Sequence, residues 1–291
     1  MKISEYKINY SKKNLENSYS KACRLDIECI KPGNVNYLFG HHDTFSDDFI
    51  NSYQITAKVI SQDNISLGNR IKECVLSTKS ISKRNTNLGI ILLCSLFAQS
   101  LTVKNNMNVS DAIKHVVLHA SKEDVLLICE SISMANPGGL GNHEEYDVTT
   151  LPDVSLQEIM RAASDFDNIS NQYSNYFRDI FNFIIPTLSD SIPKINDIKM
   201  AISYTFLKTL EKYPDSHISR KYDHKIAKKT SNEASDLIKI LDGDTRHESW
   251  GKNLMSLDKH FKMARVNPGT TADLLVVSMM IYDYFIGLPN Q

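Results

Sequence analysis

Apolar residues recur along most of this chain at the three- and four-residue spacing of one face of an α-helix. The first such segment, residues 14–30, stops at Pro32 and Gly33, because proline disfavours helix in the residue before it and glycine permits a turn. The same spacing predicts further helices at 46–61, 66–80, 87–103, 110–119, 122–135, 155–171, 174–188, 194–212, 221–240, 247–264 and 271–286. No stretch alternates long enough to be a convincing strand. The pattern predicts an all-α fold, a single compact multi-helix domain over residues 1–291.

Several of these helices begin at residues suited to capping. Ser46, Ser110, Ser155 and Thr270 each precede an acidic or amide residue within three positions, which predicts an N-cap at each of them. The segment 136–153 is the one long irregular stretch, and long ordered loops often serve function.

The composition is that of an ordinary globular protein. The chain has 291 residues, with 33 Lys and Arg against 34 Asp and Glu, so its formal net charge is −1. This near-neutrality argues against a broad nucleic-acid footprint. The longest apolar run, Ile90 to Ala98, is too short for a bilayer, which needs about 20 residues. A soluble cytoplasmic protein is expected, with no membrane partner and a homodimer as one conceivable assembly.

The cysteines give no sign of a metal knuckle or a disulfide framework. There are five of them, an odd number, and none forms a CxxC pair. Buried free thiols in a reducing compartment are therefore expected.

Polar residues are unusually dense at four junctions between a loop and a helix. At the first, Glu28 and Lys31 are three apart and share a helix face, with Asn34 on the turn and Asp43 downstream. One interpretation is a surface ion pair between Glu28 and Lys31, next to a proline that ends the helix. Such surface pairs are common and weak. A second interpretation is a carboxylate and a cation directed into a cleft.

The second and third junctions carry glycine. Asn87 and Gly89 lie at the start of the most apolar helix. They either serve only to begin the helix or allow a ligand to approach the backbone closely. The segment 136–141 has three glycines in four residues and is followed by acidic residues, but it matches neither a P-loop nor a GxGxxG fingerprint. A flexible loop explains it at least as well as a phosphate cradle.

The fourth junction is the segment 267–274, Asn-Pro-Gly-Thr-Thr-Ala-Asp-Leu. A capping interaction between Thr270 and Asp273 is one explanation of this sequence. A helix start of this kind is also a ready anion site.

Two predicted helix faces add to these junctions. Asp167 is expected in an otherwise apolar helix, where a buried charge needs a partner or a metal. The segment 220–229 holds five Lys or Arg residues and is either a solvated face or a phosphate-reading patch.

Together these junctions resemble the triphosphoribosyl-dephospho-CoA synthase family, in its short, archaeal-like branch. The matching segments appear in the family's order between about residues 20 and 280: Glu28-x-x-Lys31-Pro32-Gly33-Asn34-Val35 with Asp43 and Phe49, Thr86-Asn87-x-Gly89, Asp167 with Gln172-Tyr173, Ile218-x-Arg220-Lys221, and Asn267-Pro268-Gly269-x-x-Ala272-Asp273-Leu274.

The resemblance implies an all-helical pentosyltransferase. In the family reaction the 2′-hydroxyl of dephospho-CoA attacks the ribose C1′ of ATP, and adenine is released. The implied cofactor is Mg²⁺, with ATP as a substrate. The roles implied for this chain are base or metal ligand for Glu28 and Asp43, metal binding for Asp167 and Asp273, and nucleotide binding for Lys31, Asn34, Asn87, Gly89, Arg220, Lys221, Asn267, Gly269, Thr270 and Thr271.

The chain also departs from the bacterial synthases. Asn87-Leu88 stands where they carry a His-Lys pair, and the 137–141 segment replaces a Gly-Ala-Arg-Gly-Glu-Ala-like stretch. These differences leave open a related transfer to another cofactor precursor. Two further hypotheses are hydrolysis of a nucleotide and a helical protein that binds its ligand without catalysis. Every enzymatic interpretation requires the separate junctions to meet in one cavity.

Overall fold

The computed structural model describes residues 2–37, 46–81, 87–103, 106–135, 154–244 and 247–289. Within these ranges the regular structure is helical, apart from one isolated antiparallel bridge between Lys7 and Asn108. The predicted all-α class is therefore confirmed. No helix in the described ranges is long and apolar enough to cross a membrane.

Fourteen α-helices are present in the described ranges, preceded by a short 3₁₀ turn at Ile3–Glu5. In chain order they are α1 (Lys12–Glu28), α2 (Ser46–Ile60), α3 (Leu67–Ile81), α4 (Leu88–Leu101), α5 (Val109–Leu118), α6 (Lys122–Ala135), α7 (Leu156–Ala163), α8 (Asn168–Ser174), α9 (Ile185–Ile195), α10 (Ile198–Lys212), α11 (Ser216–Lys221), α12 (His224–Gly243), α13 (Trp250–Met263) and α14 (Gly269–Phe285).

One predicted helix is divided in the structure, and another begins later than predicted. The segment predicted at 155–171 breaks between α7 and α8, where Asp167 is an extended N-cap residue that accepts a hydrogen bond from the Ser170 amide. Its predicted place inside a helix is therefore wrong. Similarly, α11 precedes the segment predicted at 221–240, and Asp223 begins α12 as its N-cap. In both cases an aspartate that accepts a backbone N–H favours a new helix start over continuation.

The predicted caps are partly confirmed. Ser155 forms a complete capping box with Glu158 at the start of α7. Asn108, not Ser110, caps α5, and Thr270 lies inside α14. The Ser46 side chain lies outside the described residues.

The core is one continuous cluster of buried apolar side chains, to which all fourteen α-helices contribute. Helices α4 and α14 are buried on almost every side, as expected for helices that are apolar all round. These two pack against each other, and α14 also packs along α1. All five cysteines are buried and free, which confirms the prediction. The N-terminal ends of α4 and α14 and the C-terminal end of α1 thereby come close together.

Candidate active site

The N-terminal parts of α4 and α14 are in direct contact through Gly89 and Asp273. A Cβ atom built on Gly89 would lie 2.6 Å from Asp273 Cγ and closer still to Asp273 Oδ2. Only a residue without a side chain leaves room for the carboxylate here. The second and fourth junctions of the sequence therefore meet in space.

Asp273 is a carboxylate without a local partner. In the part of the chain that the structure describes, it accepts no hydrogen bond. Burial raises its pKa well above the ordinary value, and the negative charges of Asp26 and Asp215 add to the shift. Arg220 opposes it. Acidic groups from α1 and from the start of α11 thus lie within electrostatic reach of Asp273.

Arg220 and Asp167 form an ion pair beside this carboxylate. Arg220 Nη1 donates to Asp167 Oδ1, and Arg220 Nη1 also lies 3.2 Å from Ser216 Oγ. Ser216 Oγ in turn donates to Thr270 Oγ1 at 3.1 Å on the first turn of α14. The predicted residues Asp167, Arg220 and Thr270 are therefore joined in one hydrogen-bonded group.

Asp215 fixes the start of α11 against the start of α14. Its Oδ1 accepts the Ile218 amide at 3.1 Å, and its Oδ2 accepts both the amide and the hydroxyl of Thr271 at 2.7 Å. The side chain is fully buried. Because Thr271 is bound in this way, its predicted contact with a nucleotide remains a prediction.

His217 lies two residues after Asp215 and faces Gly269. Its imidazole would be 3.6 Å from a Cβ on Gly269. Burial lowers the pKa of His217, a shift that Asp215 opposes and that the positive charges of Arg220 and Lys221 strengthen. The imidazole is therefore favoured in its neutral form beside Gly269.

Lys31 is fully buried and holds the turn after α1. Its ammonium donates to the Asp26 carbonyl at 2.7 Å, to Asn34 Oδ1 at 2.9 Å and to the Val35 carbonyl at 3.3 Å. Asp26 Oδ1 lies 3.1 Å from the same nitrogen. An ammonium has three protons, so Lys31 has no free donor for the phosphate that was expected to bind it.

The turn after α1 is tied to the turn before α14. Asn34 Nδ2 donates to Asn267 Oδ1 at 2.9 Å, which brings two predicted residues together. The Gly33 amide donates to Asp258 Oδ1 at 2.9 Å, and Gly33 has a φ of +81°. A Cβ there would be 2.7 Å from the Val266 carbonyl oxygen. The structure thus requires glycine at this crossing.

Two predicted residues lie elsewhere in the described part. Glu28 pairs with Lys199 of α10 at 3.3 Å and with Arg24 at 3.9 Å, so it is engaged with neighbouring helices. Lys221 is exposed, with its ammonium 5.4 Å from the centre of the Tyr222 ring. The predicted catalytic and metal residue Asp43 lies outside the described residues, as does the segment 136–153.

A cleft opens between α1, α2 and the start of α4. Its enclosed space is about 10 Å³, which is room for about one water molecule. Its lining includes Tyr19, Asp26, Phe49, Tyr53, Asn87 and Ile90. Asn87 is 4% exposed, and its side chain makes no capping hydrogen bond.

Sequence reasoning missed Asp26, Asp215 and Ser216. A signal for Asp26 was present, because Tyr19, Cys23 and Asp26 are spaced four and three apart and share one buried face of α1. A carboxylate on such an apolar face needs a partner, and Lys31 supplies it.

Residues 12–287 match the sequence profile of the CitG family, described as ATP:dephospho-CoA triphosphoribosyl transferase. The chain belongs to this family. The CitG family comprises transferases that use ATP and dephospho-CoA, which confirms the resemblance and supports an enzymatic role. No curated protein sequence matches the chain significantly.

The CitG assignment agrees with a solved structure. A crystal structure of a candidate triphosphoribosyl-dephospho-CoA synthase from Archaeoglobus fulgidus superposes with a TM-score of 0.63. Its sequence is 18% identical, and the match covers 84% of this chain and all of the other. At this identity the likeness establishes the shared fold.

A divalent ion was also expected at the site. Among the described residues, no three Asp, Glu, His or Cys side chains form a group that could hold a metal. The Asp273 carboxylate still suits a cation, because it accepts no hydrogen bond from a described residue and its negative charge is disfavoured by its surroundings.

Proposed function

We propose that this CitG-family chain is a triphosphoribosyl-dephospho-CoA synthase. It transfers the triphosphoribosyl group of ATP to the 2′-hydroxyl of dephospho-CoA and releases adenine, as a pentosyltransferase. The observation that carries the proposal is the meeting of Gly89 of α4, Asp273 of α14 and the Asp167–Arg220 pair, which joins the start of α8 to the last turn of α11. The family membership supplies the two substrates.

The acidic groups suit displacement at an anomeric carbon. Such a reaction passes through an oxocarbenium-like state, and a fixed carboxylate lowers the energy of the positive charge that develops. We assign this electrostatic role to Asp273 in its ionised form, which the positive charge of Arg220 favours against the effect of burial. Its lack of a hydrogen-bond partner in the described part leaves its oxygens free to face substrate.

Arg220 is the cation best placed for the triphosphate. Its guanidinium carries five donors, of which one nitrogen is directed to Asp167 and Ser216. A guanidinium can bind a phosphate in a bidentate manner while it keeps its neutralising partner. Asp167 then acts as the group that orients Arg220, in place of the metal-binding role expected from the resemblance.

We propose Asp273 as the protein ligand of a Mg²⁺ ion that arrives with ATP. Mg²⁺ is commonly held by one or two carboxylates together with substrate phosphates and water, so a three-residue cage is not required. When bound, the ion neutralises triphosphate charge. Asp43 remains a second predicted ligand.

Mass spectrometry of the products tests the proposal directly. Purified protein, Mg-ATP and dephospho-CoA should yield an adduct heavier by one triphosphoribosyl unit, with one adenine released per adduct. Asp273→Asn and Arg220→Met should each lower the rate by at least about a hundredfold, comparable to loss of one main electrostatic contact. Lys252→Met, on the exposed face of α13, is the matched control and should keep full activity.

Three results would contradict the proposal. Adenine without the adduct would indicate hydrolysis. Transfer to a different hydroxyl compound would indicate another acceptor. Neither adenine nor adduct would favour a non-catalytic binding protein.

A further inference from the structure

His217 places an imidazole beside the start of α14. Its backbone amide donates to Thr270 Oγ1 at 3.2 Å, and its ring faces Gly269. The side chain is only partly exposed, and neither ring nitrogen forms a hydrogen bond with a described residue. The contact of α11 with α14 thus holds the ring at the site, while its nitrogens remain available to a ligand.

The imidazole and the Asp273 carboxylate border the same face of α14. Gly269 and Asp273 are four residues apart in this helix, so their Cβ positions lie one above the other, about 5–6 Å apart. His217 lies against the Gly269 position, and the Asp273 carboxylate lies against Gly89. A separation of about one helical turn is similar to that of the paired groups that flank the reacting bond in glycoside hydrolysis.

The imidazole of His217 is favoured in its neutral form, which can accept a proton. Burial lowers its pKa against the opposing effect of Asp215, and the positive charges of Arg220 and Lys221 lower it further. The other ionisable groups at the adjoining ends of α8, α12 and α14 are Asp167, Asp223, His224, Lys225 and Asp273. A neutral imidazole has a proton on one nitrogen and a lone pair on the other, so it acts as a base near neutral pH.

The other groups implied as the base are engaged or lie outside the described residues. Glu28 is paired with Lys199 of α10 and with Arg24. Asp43 lies outside the described residues. Asp273 is assigned to the positive charge that develops at C1′. His217 is therefore the described titratable group best placed to accept a proton beside Asp273.

We propose that His217 is the general base that removes the proton from the 2′-hydroxyl of the acceptor. A ring nitrogen takes this proton as the bond from O2′ to C1′ forms and the bond from C1′ to adenine N9 breaks. Adenine leaves with the bonding electron pair, and the imidazolium then gives its proton to adenine or to water. The assignment rests on the proposed function and adds a catalytic residue to it.

The His217→Gln variant tests the base directly. Glutamine keeps a polar side chain but cannot accept a proton at neutral pH, so kcat for adduct formation should fall at least about a hundredfold. Binding of Mg-ATP, measured by calorimetry without dephospho-CoA, should change by less than about twofold, because the base contacts the acceptor. His260→Gln, on the exposed side of α13, is the matched control and should keep full activity.

The pH dependence of kcat separates a base from a structural role. The wild-type kcat should fall as the pH is lowered through the pKa of His217, because protonation removes the base. Burial lowers this pKa, so the fall should lie below about pH 6.5, the ordinary value for histidine, and should be absent in His217→Gln. Free imidazole should raise the rate of His217→Ala at least about tenfold, since it can replace the missing base, and should not raise that of Asp273→Asn.

The outcomes separate the two proposals. Adduct formation by His217→Gln within about threefold of the wild-type rate would overturn the base assignment and leave the proposed function standing. A loss in His217→Gln that keeps the wild-type fall at acidic pH would also overturn it, because His217 would then act only on the structure. If His217→Gln does not fold, the response of His217→Ala to imidazole decides the assignment. No adduct from the wild-type protein would remove the proposed function, and the base assignment with it.

Discussion

Lys31 carries its charge at a position with no solvent exposure, opposite Asp26. We expect Lys31→Met to lower the free energy of unfolding by about 3–5 kcal/mol, because it leaves the Asp26 charge buried without a counter-ion. Urea denaturation measures this change. Lys228→Met is a control on an exposed helix face and should change stability by less than about 0.5 kcal/mol. Equal effects of the two substitutions would show that the ion pair does not stabilise the fold.

Gly89 and Gly251 form a matched pair, since each is the second residue of its helix. Alanine in place of a helical glycine normally raises stability by roughly 0.5–1 kcal/mol. Gly251→Ala should show this gain, because its nearest neighbour would be Met200 Cε at 3.7 Å. Gly89→Ala should show no such gain in stability, because the new methyl group would displace the Asp273 carboxylate. The same displacement should lower the transfer rate at least about tenfold. Thermal denaturation and the product assay measure both effects.

Unchanged activity in Gly89→Ala would show that the close contact with Asp273 is not needed for catalysis. Reduced activity in Gly251→Ala would show that the assay reports a general effect of alanine in a helix start.

At the residue scale the sequence predicted the right kinds of group but not all of their partners. Asn34 and Asn267 were both predicted, and the structure joins them by a hydrogen bond. The resemblance implied a nucleotide contact for Lys31, and a lysine next to a turn looks the same in sequence whether it is buried or exposed. The neighbouring Gly33 packs against Val266 and Pro268, a tertiary contact that local spacing does not contain.

At the scale of helices, Asp215 joins α11 to α14 as well as capping α11. We expect Asp215→Ala to lower the free energy of unfolding by about 2–4 kcal/mol, because it removes a cap and leaves buried donors of Thr271 unsatisfied. Asp223→Ala is the matched control, since Asp223 is an exposed N-cap of α12 and should cost only about 1 kcal/mol. Chemical denaturation of both variants gives the comparison, and equal losses would contradict the joining role.

Helix existence was predictable where the apolar spacing was long, as in α1, α4 and α14. Helix breaks were not, because the apolar spacing continues across them. The break before α8 depends on Asp167 accepting the Ser170 amide while also pairing with Arg220, which is 53 residues away in the chain. Such a tertiary contact overrides local helix propensity. The break is what places Asp167 at the site.

At the scale of the whole molecule, the site is assembled from opposite ends of the chain. Asn34 contacts Asn267, and the Gly33 amide contacts Asp258, so the site exists only when the N-terminal and C-terminal helices are packed together. The shared hydrophobic cluster provides this packing, since α1, α4 and α14 all contribute to it. Catalytic geometry and global stability are therefore coupled, and variants that loosen the α1–α14 contact should lose activity before they lose most of their helix content.

The prediction of one domain can be tested with the single tryptophan. Trp250 is buried at the start of α13, where its indole N–H donates to the Leu241 carbonyl and its ring stacks on Tyr204 of α10. If residues 1–291 unfold as one unit, Trp250 fluorescence and far-UV circular dichroism should give the same urea midpoint, because a cooperative transition looks the same to every probe. Loss of ATP binding should follow the same curve. Separate midpoints for Trp250 and for total helix content would show that the C-terminal helices unfold independently, and would contradict the single-domain prediction.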